Sequence, residues 1–374
     1  MAKKLYLFML GRDPALAIAE IESYFFSHSI EFKILNSSNT AAVIELSKFV
    51  PNWINDLGGV IKISEIISNS SKLEIIEQEM SRVDWYAGSS NKVTYFVDIY
   101  ETEIDDFVID YLKEFFKSNK IKGMLKKDSY PSRLIKKNTI TDGLEVVIYR
   151  NYVARTVAVS NPLLLKERDL GRPSTDYMKT ISLRLAKILI NLSCVKSNCT
   201  LVDPFCGSGG ILQEAILKGI NVIGVDNDSN AIKESRLNME WLVAHYKCPG
   251  RWMVVKGDSA MLSKVIVNRC DGIATEPYLG PYIKKIPTLF QAKGIMAELT
   301  SLYSNLISES FKVLTKGGRI AIVVPKFRTI EGKKVSMNFR AIAETYGFFT
   351  IYGPIDYAYK ESKILREIWV IEKK

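Results

Sequence analysis

The sequence of 374 residues predicts an α/β protein, with an α+β N-terminal part and a C-terminal domain built on a mostly parallel sheet that ends in an antiparallel pair. Three observations predict this class. Short strand and helix patterns fill the first 160 residues, strands alternating with longer helices follow residue 176, and the last two strand patterns have no helix between them. Hydrophobic residues make up 47% of the chain and charged residues 25%, an ordinary globular composition.

The first elements follow the order βαββαβ. Strand patterns occupy residues 4–10, 30–35, 41–46 and 59–64. One helix is expected to begin at Asp13-Pro14, an N-cap followed by proline, and to end near residue 27; an amphipathic stretch surrounds Trp53 and Leu57. This is the ferredoxin-like order, so we expect residues 1–69 to form one domain.

A second N-terminal domain is expected over residues 70–160. It contains a helix, a strand over 93–100, a helix over 104–116 and a hairpin formed by 144–149 and 153–159. Its basic stretch has only Asp128 as an opposing acid, and a phosphate-rich partner would explain it, although a solvated face would as well. The basic residues are Lys117, Lys120, Lys122, Lys126, Lys127, Arg133, Lys136 and Lys137.

The C-terminal domain is expected over residues 176–374, after a linker at 161–175 where the periodicity breaks. A helix over 178–192 opens it. Strands then alternate with helices, which predicts a parallel sheet covered on both faces. The expected strands are 200–203, 221–226, 252–255, 272–275 and 319–324, followed by an antiparallel pair at 348–355 and 366–371.

The first of these strands runs into a glycine-rich turn, Asp203-Pro-Phe-Cys-Gly-Ser-Gly-Gly210. Glycines let a ligand approach the backbone, and ligands bind beyond the carboxyl ends of such strands. A dinucleotide fingerprint needs a third glycine where Leu212 stands, which disfavours a nicotinamide cofactor. Asp226 and Asp258 end the next two strands and suit the hydroxyls and base of a nucleoside. Together these features predict an adenosine-type cofactor.

The fourth strand ends in Thr275-Glu276-Pro277-Tyr278. Beside a cofactor, a side-chain oxygen and a proline-fixed carbonyl can orient an amino group for reaction, and an aromatic ring can stack on a base. A surface glutamate before a turn proline is the simpler interpretation. No cysteine stands at this strand end, so we expect no thiolate nucleophile there.

Composition restricts the location and the metal chemistry. The five cysteines form no Cys-x-x-Cys pair and the only histidines are His28 and His245, so we expect no metal site. No apolar run is long enough for a membrane helix and the first residues are too short for a signal peptide, so a cytoplasmic protein is expected. The net charge of +10 resides in the C-terminal part, because the first 160 residues carry 20 basic and 21 acidic side chains.

The turn and strand-end acids resemble the Rossmann-like class I S-adenosylmethionine methyltransferases. That resemblance implies that six residues face the methionine, that Asp226 with Asn227 holds the ribose, and that Asp258 with Ser259 holds the adenine. It further implies that Glu276 accepts N–H bonds, that Pro277 shapes the backbone, and that Tyr278 stacks. The family pattern Asp/Asn-Pro-Pro-Tyr/Phe is altered here, with glutamate first, Tyr278 in place of the second proline and Leu279 at the aromatic position. The six are Asp203, Phe205, Cys206, Gly207, Gly209 and Gly210.

Nearly the whole chain resembles the THUMP-containing tRNA guanine-N2 methyltransferases that act at position 10. The resemblance rests on residues 8–20 and 57–63, on Arg168-Asp-Leu-Gly-Arg-Pro173, on 185–192 and on 203–215. It implies a ferredoxin-like domain, a THUMP domain that grips tRNA, and transfer to guanine N2. The RNA contacts it suggests are Lys122, Lys126, Lys127, Arg133, Lys136 and Lys137, with Lys326 and Arg328 in the loop after the fifth strand.

Two alternatives remain open at this level. Any exocyclic amine of RNA or DNA asks for similar acceptors, so another target base is compatible with the same residues. The altered motif is also compatible with an RNA-binding or partner subunit that has lost transfer. Whether a small activator subunit is needed is equally open.

Overall fold

The computed structural model describes residues 3–86, 88–126, 143–174, 181–357 and 362–374, which fall into two units. The first unit comprises residues 1–14, 30–55 and 60–164; the second comprises 15–29, 56–59 and 165–374. The N-terminal elements are β1 (Lys4–Leu10), α1 (Pro14–Ser27), β2 (Phe32–Ser37), β3 (Ala41–Leu46), a 3₁₀ helix (Pro51–Asn55), β4 (Val60–Ser68), α2 (Leu73–Met80), β5 (Lys92–Tyr100), α3 (Asp105–Ser118), β6 (Lys122–Lys126), β7 (Gly143–Tyr149) and β8 (Tyr152–Val159).

The strands of the first unit form one sheet in the order β2-β3-β1-β4-β8-β7-β5-β6. β1 lies antiparallel between β3 and β4, which is the predicted ferredoxin-like strand arrangement. β4 also pairs with β8, so strands predicted in two separate domains share one continuous sheet. The stretch around Trp53 and Leu57 forms only the short 3₁₀ helix, because Gly58-Gly59 follows within a few residues. The hairpin prediction is confirmed: β7 and β8 pair as far as Tyr149 and Tyr152.

A buried ion cluster joins three strands of this sheet. Lys62 on β4 is 1% exposed, and its Nζ donates to Asp98 Oδ2 at 2.7 Å and to Glu145 Oε1 at 2.9 Å. A buried ammonium needs such partners, since isolated charge is strongly disfavoured away from water. A separate apolar cluster of the unit includes Trp85, Tyr95 and Phe116 together with buried side chains of α2, α3, β5 and β7.

The remaining elements build the second unit, apart from the first residues of α4. They are α4 (Pro162–Gly171), α5 (Leu183–Leu192), β9 (Thr200–Asp203), α6 (Gly210–Leu217), β10 (Asn221–Asp226), α7 (Ser229–His245), β11 (Trp252–Lys256), a 3₁₀ helix (Ser259–Met261), α8 (Leu262–Val265), β12 (Cys270–Thr275), α9 (Leu289–Val313), β13 (Leu314–Arg328), β14 (Lys334–Ser336), α10 (Phe339–Thr345), β15 (Phe348–Tyr357) and β16 (Ile364–Lys373).

The second sheet has the order β11-β10-β9-β12-β13-β16-β15, with β14 paired to β13. β9 to β13 are parallel and β16 is antiparallel to both β13 and β15, as the sequence predicted. The predicted linker is not irregular, because most of it is α4; its role as a linker stays a prediction. No helix among the described residues is long and apolar enough to cross a membrane.

Helix α1 belongs mostly to the second unit although it precedes β2 in the chain. Its Glu20 is fully buried and accepts from the backbone N–H groups of Gly58 and Gly59, both at 2.7 Å. The Asn191 side chain of α5 donates to the same carboxylate at 2.7 Å. A Cβ at Gly58 would lie 2.4 Å from the Arg184 carbonyl oxygen, so glycine permits this close approach. The domain boundary predicted at residue 69 therefore differs from this division.

Candidate active site

Four carboxylates end four neighbouring strands of the second sheet. In spatial order they are Asp258 after β11, Asp226 on β10, Asp203 on β9 and Glu276 after β12. Because the strands are parallel, their carboxyl ends share one edge, where ligands bind in open α/β sheets. The structure places these acids at the strand ends that the sequence predicted, and their roles in binding stay predictions.

The turn between β9 and α6 requires glycine. Gly207 has a φ of +51° and Gly209 a φ of +87°, both in the left-handed region. A Cβ at Gly209 would lie 2.8 Å from Ser235 Oγ. Apart from its chain neighbours, a Cβ at Gly207 would meet no atom of a described residue within 4 Å and would instead enter open space above the turn. The turn thus leaves room for a ligand against its backbone, and Gly210 begins α6 directly after it.

Asp226 supports this turn and keeps acceptor capacity. Its Oδ2 accepts from the Gly207 N–H at 3.0 Å and its Oδ1 from the Asp228 N–H at 3.0 Å. Each carboxylate oxygen has a second lone pair, so the half-buried group can still accept from two hydroxyls. Its neighbour Asn227 is exposed. The assignment of both to a ribose stays a prediction.

Asp258 has a structural role that the sequence did not reveal. It is exposed and caps the 3₁₀ helix, since its Oδ1 accepts from the Ala260 N–H at 2.9 Å. The following Ser259 is buried. Recognition of an adenine by either residue stays a prediction.

Asp203 is the most strongly perturbed acid of the edge. It is 2% exposed, and burial raises its pKa to about 7, which the charges of Asp226 and Glu276 reinforce. Two donors oppose the shift: the Thr275 hydroxyl at 2.8 Å and the Phe205 N–H at 3.2 Å. The Thr275 contact links β9 to β12, directly before Glu276, and sequence analysis did not anticipate it.

Cys206 lies in the same turn with its thiol buried. Burial raises its pKa well above the ordinary thiol value, so the thiol stays protonated and unreactive. A Cβ at Gly224 would lie 3.0 Å from its Sγ, which shows how closely the side chain packs on β10. The side chain therefore contributes packing between the turn and β10.

Glu276 lies beside Arg366, a residue that sequence analysis missed. The Arg366 Nε is 2.9 Å from Glu276 Oε1, but these two atoms are an ion pair without hydrogen-bond geometry. Burial raises the pKa of Glu276, and the Arg366 charge partly offsets the increase. The side chain keeps 15% exposure, although Oε1, the oxygen beside Arg366, is buried.

Arg366 reaches Glu276 across one strand. It lies on β16 opposite Pro325 of β13, while β12 pairs with the other side of β13. No local pattern relates positions 90 residues apart, but a signal existed. Arg366-Glu367 is a charged pair within an apolar strand, which is typical of side chains with specific partners.

The residues after Glu276 pass from the interior to the surface. Pro277 is buried, whereas Tyr278 is 53% exposed. The segment continues through Tyr282, 74% exposed, to Phe290 at the start of α9, 88% exposed. Tyr278 is therefore available for stacking, as its predicted role requires.

The predicted RNA contacts fall into three groups. Lys122 and Lys126 are exposed on β6, the edge strand of the first sheet. Lys326 and Arg328 were predicted in a loop, but both lie within β13. Lys326 is engaged there, with Nζ 2.7 Å from Glu367 and 3.5 Å from Asp356, and Arg328 has a buried Nε. The ion pairs of Lys326 compete with a phosphate contact, and the contact predicted for Arg328 stays a prediction. Lys127, Arg133, Lys136 and Lys137 lie outside the described residues.

Comparison with protein families identifies the domain that carries this edge. Residues 172–351 match the family model described as UPF0020, RMKL-like, methyltransferase domain. This segment is a methyltransferase domain. The match begins in the predicted linker and extends into β15, so it contains all four carboxylates.

Curated relatives match more of the chain than this family model does. A tRNA (guanine(10)-N2)-dimethyltransferase of Methanothermobacter thermautotrophicus is 26% identical over 324 residues, covering 85% of this chain and 88% of the relative. An enzyme of the same name from Methanocaldococcus jannaschii is 29% identical over 148 residues, covering 37% and 40%. The chain is a homologue of these tRNA methyltransferases, as the sequence resemblance suggested; a THUMP domain stays a prediction.

Solved structures support the fold of this methyltransferase. TrmN from Thermus thermophilus superposes with a TM-score of 0.53 at 15% identity, covering 99% of this chain and all of that chain. A possible methylase from Clostridium difficile 630 gives a TM-score of 0.51 at 14% identity, covering 98% of each chain. At these identities the likeness concerns the fold alone.

Proposed function

We propose that the protein is an S-adenosylmethionine-dependent methyltransferase that methylates the exocyclic N2 amine of guanosine 10 in tRNA. The observation that carries the proposal is Glu276, a shielded but partly exposed carboxylate at the strand end next to the glycine turn. The homologous tRNA (guanine(10)-N2)-dimethyltransferases support the choice of substrate. Such a substrate would place the reaction in the cytoplasm.

The residues of the edge fit the proposed cofactor. The open space above Gly207 would accept its methionine portion, and Asp226 with Asn227 would accept from the ribose hydroxyls. Asp258 and Ser259 would border the adenine. When bound, S-adenosylmethionine supplies an electrophilic methyl group.

The protein's own contribution is to orient the amine and receive its proton. Glu276 would accept an N–H bond from guanine N2 and take the proton released after methyl transfer, a role suited to its raised pKa. Arg366 would hold the carboxylate in place and favour its charged form. Buried Pro277 fixes the backbone, and Tyr278 would stack on the base.

The surface beside Tyr278 supports an RNA substrate. Tyr282 and Phe290 project into solvent with exposed Lys284 and Lys285 between them in sequence. Exposed aromatic rings interleaved with lysines are typical of surfaces that bind unpaired nucleotides. The segment is fixed at one point by Lys363, whose Nζ donates to the Lys284 carbonyl at 2.6 Å. Binding of the acceptor end by Lys122 and Lys126 in the first unit is a further part of the proposal.

The test is methylation of unmodified tRNA transcripts, with products identified by nucleoside mass spectrometry. Wild type should give N2-methylguanosine or N2,N2-dimethylguanosine, and a transcript with inosine at position 10 should give neither because inosine lacks the amine. Glu276→Gln should lower the rate by about 10²–10⁴-fold, the usual contribution of a general base. Glu298→Gln, an exposed carboxamide exchange on α9, serves as the matched control.

Each other outcome is informative. Methylated adenosine or cytidine would replace guanosine as the target. Tight tRNA and cofactor binding without product would favour an RNA-binding subunit or a missing activator. Equal rates for Glu276→Gln and wild type would leave the glutamate as a strand-closing turn residue.

A further inference from the structure

The segment 168–174, predicted as part of a linker, is attached to the glycine-rich turn and to the helices α6 and α7 beside it. Arg168 forms a fork with Glu214 of α6, with Nη2 at 2.9 and 3.0 Å from the two carboxylate oxygens. Glu214 is 2% exposed, so this ion pair is well shielded. A Cβ at Gly171 would lie 2.8 Å from the Trp241 ring of α7, which shows that α4 ends in close contact with this helix.

A buried amide completes the attachment. Asn238 of α7 donates to the Ser174 carbonyl at 2.7 Å and to the Ser208 carbonyl at 2.9 Å, and it accepts from the Ser174 N–H at 3.1 Å. Ser208 stands between the two left-handed glycines of the turn. The position of residue 174 is therefore tied directly to the turn.

Arg172 is the residue that this attachment positions. Its guanidinium is buried, with Nη2 paired to the Asp169 carboxylate and Nε 3.4 Å from the Asp169 carbonyl. Its Nη1 is buried and has no hydrogen-bond partner among the residues that the structure describes. A Cβ built on Gly210 would lie 3.8 Å from this Nη1, so the free donor faces the first residue of α6. A buried donor without a partner costs about 1–3 kcal/mol, more when charged, unless a ligand satisfies it.

The location selects the chemistry of the ligand. The N-terminus of α6 carries partial positive charge and unpaired backbone N–H groups, and Arg172 adds a full positive charge beside it. Glu214 is engaged by Arg168, and Asp169 engages only the other side of the guanidinium. An anionic group with oxygen acceptors satisfies both the helix end and Nη1.

We infer that Arg172 binds the α-carboxylate of the cofactor's amino acid portion. This inference rests on the proposed function, since the carboxylate is the only anionic group of S-adenosylmethionine. It assigns a binding role to a segment outside the glycine turn. Arg168 acts as a positioning residue, because it fixes α4 one helical turn before Arg172.

Calorimetric binding tests the inference without any turnover. Decarboxylated S-adenosylmethionine lacks only the carboxylate, so wild type should prefer S-adenosylmethionine by about 10- to 100-fold, the range for a charge-assisted hydrogen bond. Arg172→Met should reduce this preference to below about 10-fold by weakening the carboxylate ligand alone, because only the contribution of the N-terminus of α6 remains. Arg172→Lys keeps the charge and should keep part of the preference.

Two controls separate binding from folding. Arg236→Met makes the same exchange on α7, where Arg236 donates to the Val254 carbonyl, and should keep the wild-type preference. Asp169→Asn should also keep it, because the guanidinium remains. An equal loss of both ligands in Arg172→Met and Arg172→Lys would overturn the inference, as would a wild type that does not distinguish them. Failure of wild type to bind either ligand would instead overturn the proposed cofactor.

Discussion

Asp203→Asn should remove a pH dependence of stability that this buried acid imposes. The pKa of Asp203 is raised from 3.8 to about 7. Between these values the folded protein holds a proton that the unfolded chain has lost, so stability falls as pH rises. The slope is about 1.4 kcal/mol per pH unit. Over about three pH units the loss of unfolding free energy approaches 4 kcal/mol, and it is complete above pH 7.

Asparagine does not titrate, and its oxygen can still accept from Thr275 and Phe205. The stability of the variant relative to wild type should therefore increase steadily from pH 4 to pH 7 and stay constant above pH 7. For a unit of this size 4 kcal/mol corresponds to about 10 °C in the unfolding temperature. Thermal unfolding followed by fluorescence at constant ionic strength measures both profiles.

Thr275→Val provides the opposite perturbation of the same acid. Loss of the 2.8 Å hydrogen bond from the Thr275 hydroxyl removes a donor that favours the charged carboxylate, so the pKa of Asp203 should rise further. The decrease of stability with pH should therefore continue to a higher pH than in wild type. A difference between Asp203→Asn and wild type that stays constant from pH 4 to pH 8 would refute the reasoning, because it would mean that Asp203 titrates alike in the folded and unfolded chains.

Three further predictions concern single positions. Gly209→Ala should cost on the order of 1–3 kcal/mol in a urea titration and weaken cofactor binding in calorimetry, because of the positive φ and the contact with Ser235; unchanged binding would contradict this. Arg366→Met should raise the pKa of Glu276 and move the rising limb of the methylation pH–rate profile to higher pH. An unmoved limb would show that Arg366 does not influence the titration of Glu276. Lys62→Met should lower the unfolding free energy by about 3–5 kcal/mol at neutral pH, and by less in acid, because it removes the ammonium that lies between two shielded carboxylates; a loss below about 1 kcal/mol would contradict it.

The strands of the second sheet were well predicted because their signals are local. β9 and β10 have the predicted bounds, each a short apolar run ending at an acid. Helix α4 was missed for a physical reason: it has no fully buried residue, so no apolar face produces a helical period. β13 begins at Leu314, before the predicted start at residue 319, and passes through Gly317-Gly318, a residue pair that is typical of turns.

Long-range partners were beyond the sequence. From the sequence, Asp203, Asp226 and Glu276 were each placed at the end of a predicted strand. Because parallel strands align their carboxyl ends, these positions imply one shared edge of the sheet. Side chains from distant elements, such as Arg366 on β16 and Thr275 against Asp203, depend on strand order and register, which the sequence pattern does not encode. The positive character of Lys326 was visible, but its engagement by Glu367 was not.

The membership of α1 in the second unit makes the chain order important for how the protein is made. Glu20 and Asn191 are separated by 171 positions, so a ribosome adding about 5–20 residues per second needs roughly 9–34 s to produce the second after the first. Until then, the buried face of α1 has no partner from α5. A gene fragment beginning at α4 would encode every strand of the second sheet yet lack the carboxylate that Asn191 contacts. An expression fragment of the methyltransferase unit must therefore supply residues 15–29 and 56–59, by fusion or as a separate peptide.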